Sequence, residues 1–145
     1  MTMRRQTIVI LAAALVMVGC AWLSVAEYDP ALAHGVAGLQ KKVDTFLAGL
    51  GECAGTPEGE YDRHASFYAE ARQELAGLGQ LARVQPGNDL TVRSLDSLAE
   101  NLDQLEAMHR AGITSADEVA LIAGLFDTQF RMLLELENAK KTEEQ

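Results

Sequence analysis

Four stretches of the chain repeat apolar residues at the three-and-four spacing of one α-helical face, and breaks rich in Gly, Pro and Asn separate them. This periodicity constrains the fold most strongly, because an amphipathic helix must bury the face on which such residues recur. No stretch shows the alternation of apolar and polar residues that would indicate a β-strand instead. The predicted helices cover residues 30–50, 61–84, 88–112 and 115–141.

The ends of these predicted helices carry typical start and stop residues. Pro30 suits the first turn of the first helix, and Gly51 is a natural end for it. In the third helix either residue of the Asn-Asp pair at 88–89 can cap the free backbone amides. The fourth opens with a capping box, in which Ser115 and Glu118 satisfy each other's backbone donors.

The predicted helices are similar in length, at roughly 21 to 27 residues or ~31–40 Å. Rods of equal length joined by short loops predict an all-α fold, an antiparallel up-down-up-down four-helix bundle behind an N-terminal signal or anchor segment. A chain of 145 residues with 48% apolar composition suits one such domain. We assign the bundle to residues 30–141 and a frayed tail to 142–145.

The N-terminus has the layout of a secretory signal. Residues 1–6 hold two arginines and no acid, and residues 7–19 carry no charge. The apolar run ends in Met17-Val18-Gly19-Cys20. This ending resembles the lipobox of bacterial lipoproteins, in which the Cys is acylated, typically with palmitate, and becomes the mature N-terminus. The resemblance implies a signal peptide at 1–19, a lipid anchor on Cys20 and a short tether at 20–29.

An uncleaved anchor is the alternative, because residues 7–26 are long and apolar enough for one transmembrane helix. No basic residue recurs before Lys41, so the positive-inside rule places everything after residue 26 outside the cytoplasm in either case. The expected location is the bacterial cell envelope, facing the periplasm. Ala21 after the Cys resembles the sorting signal for the outer rather than the inner membrane.

The net charge excludes one class of partner. The chain has 12 basic and 21 acidic residues, a formal charge of −9, and its bases are scattered among acids. Nucleic-acid binding needs a basic footprint that displaces counterions from phosphates. We therefore predict no nucleic-acid partner.

Aromatic and basic residues at the start of the second helix, with a histidine of the third, form a candidate binding patch. Its members are Tyr61, Arg63, His64, Tyr68 and His109. Tyr and Arg dominate binding hot spots, but the same aromatic rings can also plug one end of a bundle, which is the interpretation we favour. His64 and His109 are expected at the same end, in packing and hydrogen-bonding roles. The alternative is a small ligand, haem or metal held between helices 2 and 3.

The spacing of potential ligands and nucleophiles supports neither a metal site nor an enzyme. The chain has a single Glu-x-x-His, at Glu106 and His109, where a carboxylate-bridged dimetal site needs two, and it has no C-x-x-C-H and no G-x-S-x-G elbow. We predict no catalytic residues, no metal and no cofactor. Acidic residues at three-and-four spacing in the third helix indicate a solvated face that could meet a basic partner; they are Asp96, Glu100, Asp103 and Glu106.

Several segments of the chain resemble those of small, uncharacterised helical lipoproteins of bacteria. They are LQKKVDTFL (39–47), FYAEARQEL (67–75), DLTVRSLDSLAENLDQLEAMHR (89–110) and LLELENAKK (133–141). The resemblance implies a helical, lipid-anchored envelope protein and no particular activity. The expected function is a membrane-tethered periplasmic bundle that binds a protein partner or organises the envelope.

Overall fold

The computed structural model describes residues 26–143. The predicted signal peptide, Cys20 and the transmembrane alternative up to residue 25 lie outside the described residues. None of the helices between residues 26 and 143 contains an apolar stretch that could span a lipid bilayer.

Four helices make up the described chain. They are α1 (Pro30–Cys53), α2 (Ala65–Arg83), α3 (Asp89–Ala111) and α4 (Ala116–Glu143). Two short 3₁₀ turns, Pro57–Gly59 and Tyr61–Arg63, connect α1 to α2. No strand occurs among residues 26–143. The prediction of an all-α protein with four packed helices is therefore confirmed.

The helices pack around one core of buried aliphatic and aromatic side chains. The contribution of α1 shows the three-and-four spacing clearly, with Leu32, Val36, Leu39, Val43, Leu47 and Leu50 all buried. The most extensive contacts join α1 to α4 and α2 to α3, and α3 contacts α4 less extensively. Three apolar residues that continue the three-and-four spacing of the buried faces nevertheless lie outside the core, since Leu81 and Met108 are 42% exposed and Leu125 is 50% exposed.

The start of α1 is fixed by its cap, whereas its end differs from the prediction. Asp29 Oδ1 accepts from the amides of Ala31 at 2.8 Å and Leu32 at 3.3 Å, with Pro30 in the first turn. The helix passes the predicted stop at Gly51 and ends at Cys53. A glycine inside a helix costs about 1 kcal/mol, which is small beside the packing of the last turn on the core.

The other helix boundaries follow the sequence in part. α2 starts at Ala65 rather than at residue 61, because 61–63 form a 3₁₀ turn. Gly112 ends α3 as predicted, with a left-handed φ of +106°. Ser115 Oγ accepts from the Glu118 amide at 3.2 Å, but the Glu118 carboxylate accepts from the amide of Thr114, not from that of Ser115.

The C-terminal helix is longer than predicted. α4 continues to Glu143, so residues 142 and 143 are helical rather than frayed. The reason lies one turn earlier, where Lys140 is only 5% exposed and bonds to α3 and to its own helix. Burial of a charged side chain ties this turn to the bundle.

Candidate functional site

Six rings meet where the end of α1, the start of α2 and the end of α3 come together. This end cluster consists of Phe46, Tyr61, His64, Phe67, Tyr68 and His109. Phe46 and Phe67 stack with ring centroids 3.7 Å apart, and Tyr68 meets Phe46 edge-on at 5.5 Å. Such geometries stabilise aromatic pairs beyond simple burial.

His109 is the hydrogen-bonding centre of the end cluster. Its Nε2 lies 2.8 Å from the Gly59 carbonyl oxygen and its Nδ1 2.7 Å from the Tyr68 hydroxyl. A carbonyl only accepts, so Nε2 carries a hydrogen, and in the neutral ring Nδ1 accepts from Tyr68. Burial raises the pKa of the Tyr68 hydroxyl, which keeps it a donor.

Gly59 makes this arrangement sterically possible. A Cβ at this position would lie 2.3 Å from the carbonyl oxygen of Cys53, so only glycine lets the loop pass so closely over the end of α1. The loop thereby delivers the Gly59 carbonyl to the buried imidazole.

The structure brings together four of the five residues of the predicted patch. Tyr68 and His109 are 0% and 2% exposed, and Tyr61 and His64 are half-buried. Arg63 is exposed and has no part in the ring contacts described for this cluster. Most of the predicted patch is thus a plug at one end of the core, and its two buried rings offer no surface to a partner.

The histidines use their ring nitrogens within the protein. His64 Nε2 donates to the Glu58 carbonyl at 2.9 Å, and both nitrogens of His109 are engaged. The two imidazole centroids lie 5.6 Å apart. Across residues 26–143, no group of three His, Cys, Asp or Glu side chains is arranged to hold a metal ion.

Exchange of each histidine for glutamine should separate their roles. His109→Gln is expected to lower the free energy of unfolding by about 1–3 kcal/mol, because it leaves a buried donor or acceptor unpaired. His64→Gln should have a smaller effect, since that ring is half-buried and makes one hydrogen bond. Urea titration of both variants measures the difference, and equal effects would contradict the central role of His109.

The acidic face predicted on α3 is mostly paired within the molecule. Arg72 contacts Asp103 at 2.7 Å and Glu106 at 2.5 Å, and Arg83 contacts Asp96. Glu106 also accepts from the Tyr61 hydroxyl at 2.7 Å. Three of the four predicted acidic positions therefore join α3 to α2 rather than forming an open acidic surface.

Glu106 should make stability depend on acid pH. Hydrogen bonds from Arg110, Tyr61 and Arg72 lower the pKa of its carboxyl from 4.5 to about 2. A lowered folded-state pKa adds stability that is present above pH 4.5 and lost as pH falls towards 2.

Unfolding measured between neutral pH and about pH 2 tests this dependence. The Glu106→Gln variant should lose less stability on acidification than the wild type. Glu100→Gln is the matched control on the same helix and should follow the wild type. A Glu106→Gln profile that also follows the wild type would contradict the assignment.

A second polar cluster, absent from the sequence predictions, lies where α3 begins and α4 ends. Lys140 Nζ donates to Asn88 Oδ1 at 2.6 Å, Thr91 Oγ1 at 3.0 Å and Glu137 Oε1 at 2.7 Å. All four residues are buried, with Glu137 and Thr91 at 0% exposure. We call these four residues the buried network.

The buried network corrects the role predicted for Asn88. This residue occupies the cap position of α3, but its side chain makes no capping bond and instead donates to the Ala82 carbonyl and to Gln85. The sequence did contain a signal for Glu137, which follows Phe126, Phe130 and Leu133 at core spacing. Its charge concealed that signal.

An exposed apolar face runs along α4. Leu121, Leu125 and Met132 are 79%, 50% and 64% exposed, and their spacing of four and seven residues puts them on one side of the helix. We call these three residues the α4 stripe. Met132 and Gln129 also line a groove of 330 Å³ between α3 and α4. In this groove Gln129 Oε1 is buried, with no hydrogen-bond partner among residues 26–143.

The cysteine within the described residues, Cys53, has a free thiol. Cys53 is half-buried and donates to the Gly49 carbonyl at 3.2 Å, and Cys20 lies outside the described residues.

A cleft of 650 Å³ opens beside the end cluster, lined in part by Tyr61, His109 and Arg110. The Arg110 guanidinium stacks 4.3 Å from the Tyr61 ring centre and also bonds Glu106, so these charges are already used within the protein.

Comparison with known proteins returns no matching family model, no matching curated protein and no matching solved structure.

Proposed function

We propose that this chain is a membrane-tethered, periplasmic four-helix bundle that acts as a protein-interaction or envelope-organising module. The α4 stripe carries the proposal. Each large apolar side chain buried from water contributes about 1.5–3 kcal/mol, so three aligned and exposed ones favour association with another apolar surface.

The helices are proposed to follow an up-down-up-down order. Tyr68 near the start of α2 bonds His109 near the end of α3, which favours antiparallel packing of that pair. Thr91 near the start of α3 bonds Glu137 near the end of α4, which favours the same for the next pair. This order leaves the α4 stripe on the outside of the bundle.

The groove beside the α4 stripe supports a protein as the bound partner. Gln129 lines this groove and its Oε1 has no hydrogen-bond partner among residues 26–143, so rotation of its side-chain amide would let that oxygen accept from a donor outside the chain. A protein surface offers both that donor and the apolar side chains needed to cover Leu125 and Met132. The proposed partner therefore presents an apolar surface with a polar hydrogen-bond donor at its edge.

The tether rests on the N-terminal sequence. Two arginines, an uncharged run at 7–19 and the lipobox-like ending at Cys20 support export and acylation. Attachment to the membrane through this lipid would keep the bundle in the periplasm, at the outer rather than the inner membrane. The transmembrane alternative at 7–26 leaves the bundle in the same compartment.

Photocrosslinking in intact cells tests the interaction. A photoreactive amino acid at Leu125 is expected to give a discrete adduct with another protein. The adduct should disappear when Leu121 and Met132 are changed to serine. Met108→Ser, at an exposed apolar position of α3 outside the α4 stripe, is the matched control and should leave the adduct intact.

Two results would count against the proposal. An adduct that persists in the Leu121→Ser/Met132→Ser variant would show that the α4 stripe does not hold the partner. The absence of any adduct at Leu125 would contradict the binding of a protein at the α4 stripe. An adduct of twice the mass of the chain would identify the partner as a second copy.

A further inference from the structure

Three exposed apolar side chains surround the connection between α2 and α3. Leu81 is 42%, Val84 78% and Leu90 58% exposed, and we call these residues the tip. Leu81 lies in the last turn of α2, Val84 directly follows it, and Leu90 lies in the first turn of α3, where it also lines the α3–α4 groove. Apolar side chains concentrated at one connection mark a contact surface.

The chain enters the bundle at the same end. Asp29 Oδ2 accepts from Gln85 Nε2 at 2.8 Å, which fixes the segment before α1 beside the α2–α3 connection. Lys141 Nζ lies 5.4 Å from the centre of the Tyr28 ring, and Ala26 is only 4% exposed. Residues 26–29 are therefore packed against the bundle next to the tip.

The distance from the tip to the anchor is short. Five residues lie between Cys20 and Ala26, so the two are six residue steps apart, a span of at most ~20 Å when fully extended. If the anchor is instead a helix over 7–26, it ends where the described chain begins. In both cases the tip is held close to the lipid surface, and the 24 residues of α1 place the end cluster ~36 Å further along the bundle axis.

The tip end of the bundle is less acidic than the end that holds the end cluster, which favours the tip end for contact with an anionic membrane. The tip end holds five acidic and four basic residues, counted over residues 26–30, 81–93 and 137–143. Residues 51–66 and 104–118, around the end cluster, hold seven acidic and two basic residues. Anionic headgroups repel acidic surfaces, so the nearly neutral tip end approaches a membrane at lower electrostatic cost.

We propose that the tip rests on the lipid surface to which the chain is anchored. Leu81, Val84 and Leu90 contact the boundary between headgroups and acyl chains, and the end cluster points away from the membrane. A contact of this depth uses apolar side chains without any membrane-spanning element. The inference rests on the proposed tether, and it adds a fixed orientation of the bundle.

Fluorescence quenching by lipids tests the orientation. The full chain, purified from membranes with its anchor and carrying Cys53→Ser, receives a thiol through Val84→Cys and is labelled with an environment-sensitive dye. Acylation blocks the Cys20 thiol, and the same chain without Val84→Cys measures any dye taken up at Cys20. It is reconstituted into vesicles of phosphatidylethanolamine and phosphatidylglycerol that contain brominated lipids. Asp117→Cys, exposed in the first turn of α4 near the end cluster, is the matched control.

The dye at position 84 should be quenched and its emission shifted to the blue, whereas the dye at 117 should show neither change. The dye at Leu90→Cys should behave as at 84, which guards against a local effect of one substitution. Vesicle-bound chain with an unquenched dye at 84 and 90 would overturn the orientation and leave the tether standing. Chain that fails to float with the vesicles would overturn both. A tip that is unquenched by lipid but crosslinks to a protein in cells would overturn the lipid contact in favour of a protein contact.

Discussion

Replacing Lys140 with methionine should lower the free energy of unfolding by about 3–5 kcal/mol. The substitution leaves the Glu137 carboxylate at 0% exposure without its only ion-pair partner, and its Oε2 already lacks a hydrogen-bond partner within residues 26–143. A buried charge without compensation is among the largest penalties that a single substitution can create. Urea unfolding of residues 26–145, followed by far-UV circular dichroism, measures the effect.

A double variant distinguishes the loss of charge compensation from a loss of packing. Lys140→Met combined with Glu137→Leu should recover most of the lost stability, because replacing both partners leaves no buried charge. Lys41→Met, at an exposed position of α1, is the matched control and should be near neutral. A double variant no more stable than Lys140→Met would show that the buried network contributes through shape rather than through charge.

Cys20→Ala should abolish lipid attachment completely. In the wild type we expect intact-mass analysis of membrane-extracted protein to show loss of residues 1–19 and addition of acyl chains. The variant should carry no lipid mass and keep the segment before residue 20, because acylation precedes cleavage in lipoproteins, which the lipobox-like ending resembles. The effect is all-or-none, since the reaction requires the thiol.

The second cysteine provides the control for this experiment. Cys53→Ala should leave the lipid mass and the cleavage unchanged, because Cys53 is half-buried and bonded to the Gly49 carbonyl. Wild-type and Cys20→Ala chains that are both uncleaved, membrane-bound and free of lipid would favour the transmembrane helix at 7–26 instead.

The outcome for α1 shows what local sequence patterns can decide. The buried face of α1 from Leu32 to Leu50 follows from residue spacing alone, because the 3.6-residue period fixes which side chains share a face. Its start at Pro30 and the end of α3 at Gly112 are likewise properties of single residues, a fixed φ in one case and a left-handed φ in the other. Such features need no knowledge of the neighbouring helices.

The candidate sites were less accessible from sequence. The sequence predicts His64 and His109 at one end, where their ring centroids lie 5.6 Å apart, but it does not indicate the loop carbonyl of Gly59 that holds His109. No local pattern announces a backbone carbonyl brought in by a turn. The α4 stripe was also concealed, because Leu125 fits the core periodicity of α4 and only the packing of α1 and α3 decides which face is covered.

Four helices, most of their limits and the majority of the core follow from residue patterns alone, because these depend on periods and conformations that extend over a few residues. The burial of Lys140 and Glu137, and the position of Asn88 as a bridge between helices instead of a cap, depend on how the helices pack. Lys140 and Asn88 are 52 positions apart in the chain, and their meeting depends on the relative axial placement of α3 and α4. A charged side chain can be buried without a large free-energy penalty only when its hydrogen-bonding and ionic partners are in place. Residue spacing within one helix carries no information about partners on another.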